Sequence, residues 1–338
     1  MPIWPKSCSR SVSKALGALL ALLAVLCVIS LGLGASGAGL LEAFSDVLRG
    51  RTETPAARIL LYIRLPRVAC ALLAGAALSA SGVLIQAVLD NPLAGPNVIG
   101  VNAGAGFSTL LLACLFPTAF QLMPAAAFLG ALGASLAVFT LADRMGASRM
   151  TVVLSGVALS SILSAGIDTL TTLFPESTLG MSGFMIGGFA GATPARIWSA
   201  AIYILPALAL ALLLSRALDV LQLGDEVAAS LGMRVRRMRF LLLALSSLLA
   251  GAAVSFSGLL GFVGLIVPHA VRRFTGGEHR ALMPLSIVCG AIFVLVCDTA
   301  SRTLFQPYEL PVGILMSFIG GPFFLMLLLQ QKRGRLHD

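Results

Sequence analysis

Residues 72–84 read LLAGAALSASGVL, and the pattern returns at residues 248–260 as LLAGAAVSFSGLL, identical at ten of thirteen positions. Both copies are apolar throughout and carry small residues at helical spacing, such as Gly75, Ser79 and Gly82, which let neighbouring helices approach closely without a hydrophobic drive. An Ala/Gly/Leu-rich chain produces part of such a match by chance. Read as a duplication, it divides the chain into two halves, although beyond Gly82 and Gly258 the likeness thins to little more than Pro92 and Pro268.

Around this pair the composition is that of a membrane protein. The chain of 338 residues is 58% hydrophobic and only 11% charged, with a mean hydropathy of +0.98, whereas a soluble domain carries roughly 25% charged residues. A membrane-crossing helix needs about 20 apolar residues. Spans are predicted near 15–33, 68–88, 99–117, 119–141, 150–173, 197–215, 238–257, 259–274, 281–299 and 311–330, with a tight turn at Gly258 between the seventh and eighth. The expected fold is an all-α polytopic membrane protein of about ten helices. Residues 1–338 form a single transmembrane domain, with no room for a soluble one. The repeats fall in spans two and seven, which gives them opposite orientations, as in transporters built from inverted repeats with the substrate path between the halves.

The net charge of +9 is read as topology rather than as nucleic-acid binding. Sixteen of the 23 basic residues fall in segments on the N-terminal side of the expected spans, which places both termini in the cytoplasm. The other side holds Arg49, Arg51, Arg58, Arg64, Arg67, Arg196 and Arg302, five of them crowded between positions 49 and 67. Six cysteines contain no C-x-x-C pair and read as small apolar residues.

Between the halves lies a polar island, RALDVLQLGDEVAASLGMRVRRMR at 216–239, assigned to the cytoplasmic side. Asp225 and Glu226 suit a helix N-terminus, and Gly232 suits a glycine C-cap, so a short helix too polar to span is expected there. The alternative is an ordinary solvated loop helix. The flanking arginines 234–239 read as the anchor of the next span's inner end.

Chemistry-bearing motifs are sparse. The three lysines, Lys6, Lys14 and Lys332, follow no phosphate-loop glycine pattern, so any ATP that drives the protein is bound by another chain. The three histidines, His269, His279 and His337, form no metal-ligand spacing, and no cofactor or catalytic residue is assigned. Asp168 is the one acid well inside an expected span. It either meets a polar path or lies near the outer helix end, bonded to neighbours such as Thr171 and Thr172.

These residues resemble the permease subunits of ATP-binding-cassette importers for ferric siderophores, haem and cobalamin. The likeness runs from about Arg64 to Leu327. It is carried by R-L-P-R at 64–67, Gln86 at the end of a glycine-bearing span, N-P-L-A-x-P at 91–96, and L-G-D-E-x-A-x-x-L-G at 223–232. G-F-V-G-L-I-V-P-H-x-x-R at 261–272, D-x-x-x-R at 298–302 and E-L-P-V-G at 309–313 complete it. The resemblance implies a cobalamin-importer-permease-like subunit in the cytoplasmic (inner) membrane. It pairs with a second copy around a central path, with two ATPase subunits binding ATP and magnesium on the cytoplasmic face and a periplasmic or lipoprotein binding protein delivering the chelate.

On that resemblance, Leu223, Gly224, Asp225, Glu226, Ala228, Ala229, Leu231 and Gly232 form the ATPase-coupling segment, with Val227 where the family signature has Ala. Arg64, Arg67 and Arg302 are expected as exposed docking arginines for acidic groups on the binding protein, with phospholipid anchoring as the alternative. Asp168, Gly180, Gly187 and Gly188 are path candidates. The reading is a permease for a ferric siderophore, with haem or cobalamin as alternative cargo. An ion-coupled secondary transporter would show more intramembrane charge than Asp168, and a scaffold would support no uptake.

Overall fold

A computed structural model of the chain describes residues 6–33, 39–145 and 149–334. Among these residues there is no β-strand. The chain order is α1 (Lys6–Gly32), α2 (Leu40–Leu48), α3 (Pro55–Ile59), a π turn (Leu60–Arg64), α4 (Leu65–Leu89), a 3-10 turn (Pro96–Ile99) and α5 (Val101–Leu115). After a second 3-10 turn (Phe120–Leu122) come α6 (Met123–Arg144), α7 (Arg149–Leu173), α8 (Pro175–Leu179), α9 (Ser182–Ile186) and α10 (Pro194–Leu213). Next are α11 (Ser215–Leu221), α12 (Asp225–Ser230), α13 (Val235–Ser257), α14 (Val263–Thr275), α15 (His279–Thr303) and α16 (Val312–Gly334).

Every expected span has a helix. Among the described residues seven helices are long and apolar enough to cross a membrane, and Val101–Leu115 and Val312–Leu327 are shorter apolar ones; α14, at the eighth expected span, has 13 residues and is in neither group. The second span is longer than its apolar core predicts, because α3, the π turn and α4 run on as Pro55–Leu89. Thr54 caps this run, its hydroxyl accepting from the Ala57 N–H at 3.3 Å, and Pro55 follows at the first helical position. The π turn lies just ahead of Pro66, which lacks the N–H for a regular helical bond.

The repeat-bearing helix α4 is the centre of the molecule. Its apolar window is 83% buried, against 6% for the first span and 17% for α7. Close approach is what the small residues supply: a Cβ at Gly75 would collide with the Gly290 carbonyl, and one at Gly82 with the Gly264 carbonyl. Between α4 and α13, the Ser81 and Ser246 hydroxyls lie 2.7 Å apart.

These meetings also give direction. Along α4, Arg67 meets Asp298 and Gly75 meets Gly290, so α15 runs against it. Gly82 meets Gly264 and Gln86 meets Arg272, so α14 runs with it. The end of α4 (Val88, Leu89) and the start of α13 (Val235, Arg236) line one cavity, so the two repeat copies run in opposite directions. Their packing is also related. Gly75 faces α15, and its repeat partner Gly251 faces Phe128 and Ala131 of α6. The island, the end of α6 and the start of α7 share one face, while the end of α1 shares the other with Arg64 and Arg302.

Candidate functional site

Three places in this frame concentrate polar side chains. The first is the island. Helix α12 begins after Gly224, with Asp225 and Glu226 in its first turn, and Ala228 is its buried residue. It ends as the glycine predicts. Gly232 takes φ +85, and the Met233 N–H returns to the Ala228 carbonyl at 3.0 Å, which closes the last turn. Asp225 pairs with Arg239 at 2.7 Å, tying α12 to α13, and Arg236 pairs with Asp143 at 2.5 Å, tying α13 to α6. Leu223 before α12, Val227 within it and Leu231 at its C-cap are 59%, 45% and 64% exposed. These are exposed apolar side chains on an otherwise polar island.

The island also holds the start of α15. Asp219 of α11 accepts from the His279 backbone N–H at 2.8 Å and lies 2.9 Å from its ring Nδ1, with the His279 ring buried. Glu278, in the preceding turn, is pushed above the ordinary carboxylate range, first by desolvation and then by Asp219, with Arg280 opposing.

The second place is the far face. Sequence reasoning makes Arg64, Arg67 and Arg302 exposed; the structure corrects this, since they are 4%, 8% and 3% exposed. Arg67 Nε lies 3.0 Å from Asp298 Oδ1, and its Nη1 lies 2.7 Å from Glu309 Oε2. Arg302 sits 3.5 Å from Asp298 and donates to the Ser30 carbonyl at 2.5 Å and to the Leu33 carbonyl. Arg64 donates to the Leu31 carbonyl at 2.8 Å. Their hydrogen-bonding capacity is directed into the subunit, where it staples α1, α4, α15 and the approach to α16. Asp298 and Glu309 complete this cluster. Both lie in motifs of the sequence, D-x-x-x-R and E-L-P-V-G, and the i, i+4 spacing of Asp298 and Arg302 is the one local signal of their pairing.

The third place is the membrane interior. Pro96 and Gly264 meet beside Gly82, two turns before α4 ends, so the segments 90–100 and 258–262 carry non-helical backbone deep in the bundle. Such backbone persists only where it is buried in protein or lines a watery cavity. Ala94, Ile99 and Leu260 are buried, while Asn97 is exposed. Asn97 opens onto a groove of about 810 Å³ along α7, lined also by Ser160, Ser161, Ser164 and Asp168.

Residues 22–330 match the FecCD transport family. The chain belongs to that family. It is 38% identical to the hemin transport system permease protein HmuU of Yersinia pestis, across 95% of this chain and 96% of that one. It is 34% identical to the Fe(3+)-citrate import system permease protein YfmE of Bacillus subtilis, across 97% and 99%. A solved structure described as an inward-facing conformation of a metal-chelate type ABC transporter is 30% identical, with a TM-score of 0.84 over 94% of this chain and 99% of that one.

In this FecCD-family chain the path candidates separate. Asp168 is exposed on the groove. The hydroxyls of Thr171 and Thr172 bond the Ile167 and Asp168 carbonyls at 2.8 Å, leaving the Asp168 carboxylate to the open side. Gly180 is exposed, with open space where a side chain would go. Gly187 does not line open space. It is buried at φ +84 against the Leu259 backbone, and its carbonyl accepts from Gly313 at 3.1 Å. The Gly188 N–H is likewise directed to the Ser257 carbonyl at 2.8 Å. Both join α9, the end of α13 and the start of α16. Close backbone contact and a positive φ account for Gly187, whereas a Cβ at Gly188 would meet its nearest neighbours at 3.9 Å.

Proposed function

We propose that the chain is the membrane-spanning subunit of an ATP-driven importer that carries an iron chelate inward across the cytoplasmic membrane by alternating access. The carrying observation is the exposure of Leu223, Val227 and Leu231 on the island. The chain has no phosphate loop, so the energy source is a separate ATPase, and these side chains on and beside a short capped helix are a surface for it. Val227, the departure from the family signature, is itself one of these apolar side chains.

The island face is the cytoplasmic one in this reading, supported by its excess of arginine. Two copies pair so that α7 is covered. Its groove carries Ser160, Ser161, Ser164 and Asp168, and a polar stripe of this kind faces a watery path or another helix in preference to lipid. A binding protein delivers cargo to the far face. The relatives named for hemin and Fe(3+)-citrate transport favour an iron chelate as the class of cargo.

Purification of the tagged chain in mild detergent tests the reading. It should bring down an ATP-binding-cassette ATPase, and Leu223→Asp with Leu231→Asp should lose that ATPase while the chain itself is recovered. A chain purified without any ATPase, from a strain whose deletion leaves chelate uptake intact, would sink it.

A further inference from the structure

Among the described residues lining the groove on α7, Asp168 is the one Asp, Glu, Lys or Arg side chain. From Met150 through Ala195 the sequence holds no Lys or Arg, and its acids are Asp168 and Glu176. The next basic side chain, Arg196, is turned back onto the Gly191 carbonyl at 3.2 Å. The groove wall is otherwise neutral and hydrogen-bonding, with Asn97, Ser160, Ser161 and Ser164 on it. Helix α7 starts on the island face, where Val152 lines the cavity with Asp143 and Arg236. Asp168 stands sixteen residues further along, about 24 Å of helix rise, and therefore sits toward the far face where cargo enters.

We propose that Asp168 is a specificity-determining residue that filters cargo by charge. The groove passes ferric chelates that are neutral or cationic and opposes those bearing carboxylates or other anionic groups, so its cargo differs in charge from the carboxylate-bearing hemin and citrate chelates that two relatives are named for. The proposal rests on the import reading above. A carboxylate on the groove wall, with no basic side chain among the described residues that line the groove, repels each passing anionic group. The amide and hydroxyl groups of Asn97, Ser160, Ser161 and Ser164 meanwhile suit the carbonyl and hydroxamate oxygens of an uncharged chelate. In a pair of copies the carboxylate is present twice, which strengthens the same discrimination. The filter acts after the binding protein has released its cargo, so it adds to that protein's own preference.

The experiment uses cells with the complete importer and one ferric trihydroxamate core carrying ammonium, neutral or carboxylate substituents. Radiolabelled iron uptake is compared for wild type, Asp168→Asn and Asp168→Glu at matched membrane levels. Delivery by the binding protein is common to all strains and cancels in the variant-to-wild-type ratio. For Asp168→Asn, the uptake of the carboxylate-bearing chelate relative to the neutral one should rise about tenfold, the scale of one charge pair a few Å apart in a partly solvated site. That of the ammonium-bearing chelate should fall, and Asp168→Glu should restore the wild-type ratios. An Asp168→Asn strain whose uptake of all three chelates changes by one common factor, including a common loss, overturns the filter. If wild type takes up none of the three beyond a deletion strain, the filter fails, while the import reading stands or falls on the ATPase co-purification above.

Discussion

Arg67 and Asp298, 231 residues apart in the chain, meet at 3.0 Å in the bundle, with Asp298 wholly enclosed. A buried carboxylate is tolerated only when its charge is met, and here Arg67 and Arg302 both meet it. Asp298→Ala leaves two buried guanidiniums short of their counter-charge and should cost about 3–5 kcal/mol. The loss is read as a lower melting temperature of the purified protein. Arg67→Met combined with Asp298→Leu leaves one buried guanidinium, Arg302, short of its counter-charge instead of two, and leaves Glu309 half-exposed without Arg67, so it should cost less than Asp298→Ala alone. A double variant worse than the single would refute the pairing as the cause.

The burial of Arg64 makes a prediction opposite to that of an exposed docking residue. Arg64→Glu places an acid against the Leu31 and Gly32 carbonyls and should lower the yield of folded protein at every ionic strength. Arg58, in an exposed pair with Glu53 whose side chains are 61% and 81% accessible, should tolerate Ala with a change of about 0–1 kcal/mol. Normal folding of Arg64→Glu, with only a salt-dependent loss of binding-protein affinity, would restore the docking role.

Helix contact at Gly82 is without slack, because a side chain there meets the Gly264 backbone. Gly82→Val should cost at least about 1–3 kcal/mol, the scale of overpacking, and depress accumulation in the membrane. Gly180→Val, with open space around it, should remain within about 0.5 kcal/mol of wild type. Equal melting temperatures for the two variants would contradict the packing described for α4 and α14.

Helix α12, the proposed ATPase contact, is closed by Gly232 at φ +85. Gly232→Ala forces a side chain into the left-handed region at about 1 kcal/mol, a local cost that frays α12 and leaves the bundle folded. ATPase stimulation by cargo should drop while the melting temperature of the subunit barely moves. Full stimulation in Gly232→Ala would show that the closed turn is not needed.

How much of this was legible follows from the physics of each feature. Spans were legible because membrane length and apolarity are local properties, and the capped helix at 225–230 was legible because its acids and glycine are. The short α2, α8 and α9 were not, since five to nine residues leave no length signal. The motifs around Arg64, Arg67 and Arg302 identified residues that matter but not the side they face. Only the fold brings Asp298 from α15 and Ser30 from α1 to them. Asp168 was visible as an anomaly, and its groove appeared only when α7 was seated against the turn at Pro96–Ile99.

The central claim is that ATP hydrolysis by a partner drives an iron chelate through this subunit, and vesicles test it most directly. The purified complex is reconstituted with binding protein, and radiolabelled ferric chelate is followed into vesicles with and without ATP, in the absence of any ion gradient. The account predicts accumulation that requires ATP and disappears with Leu223→Asp and Leu231→Asp. Accumulation driven by a proton or sodium gradient without ATP would contradict it.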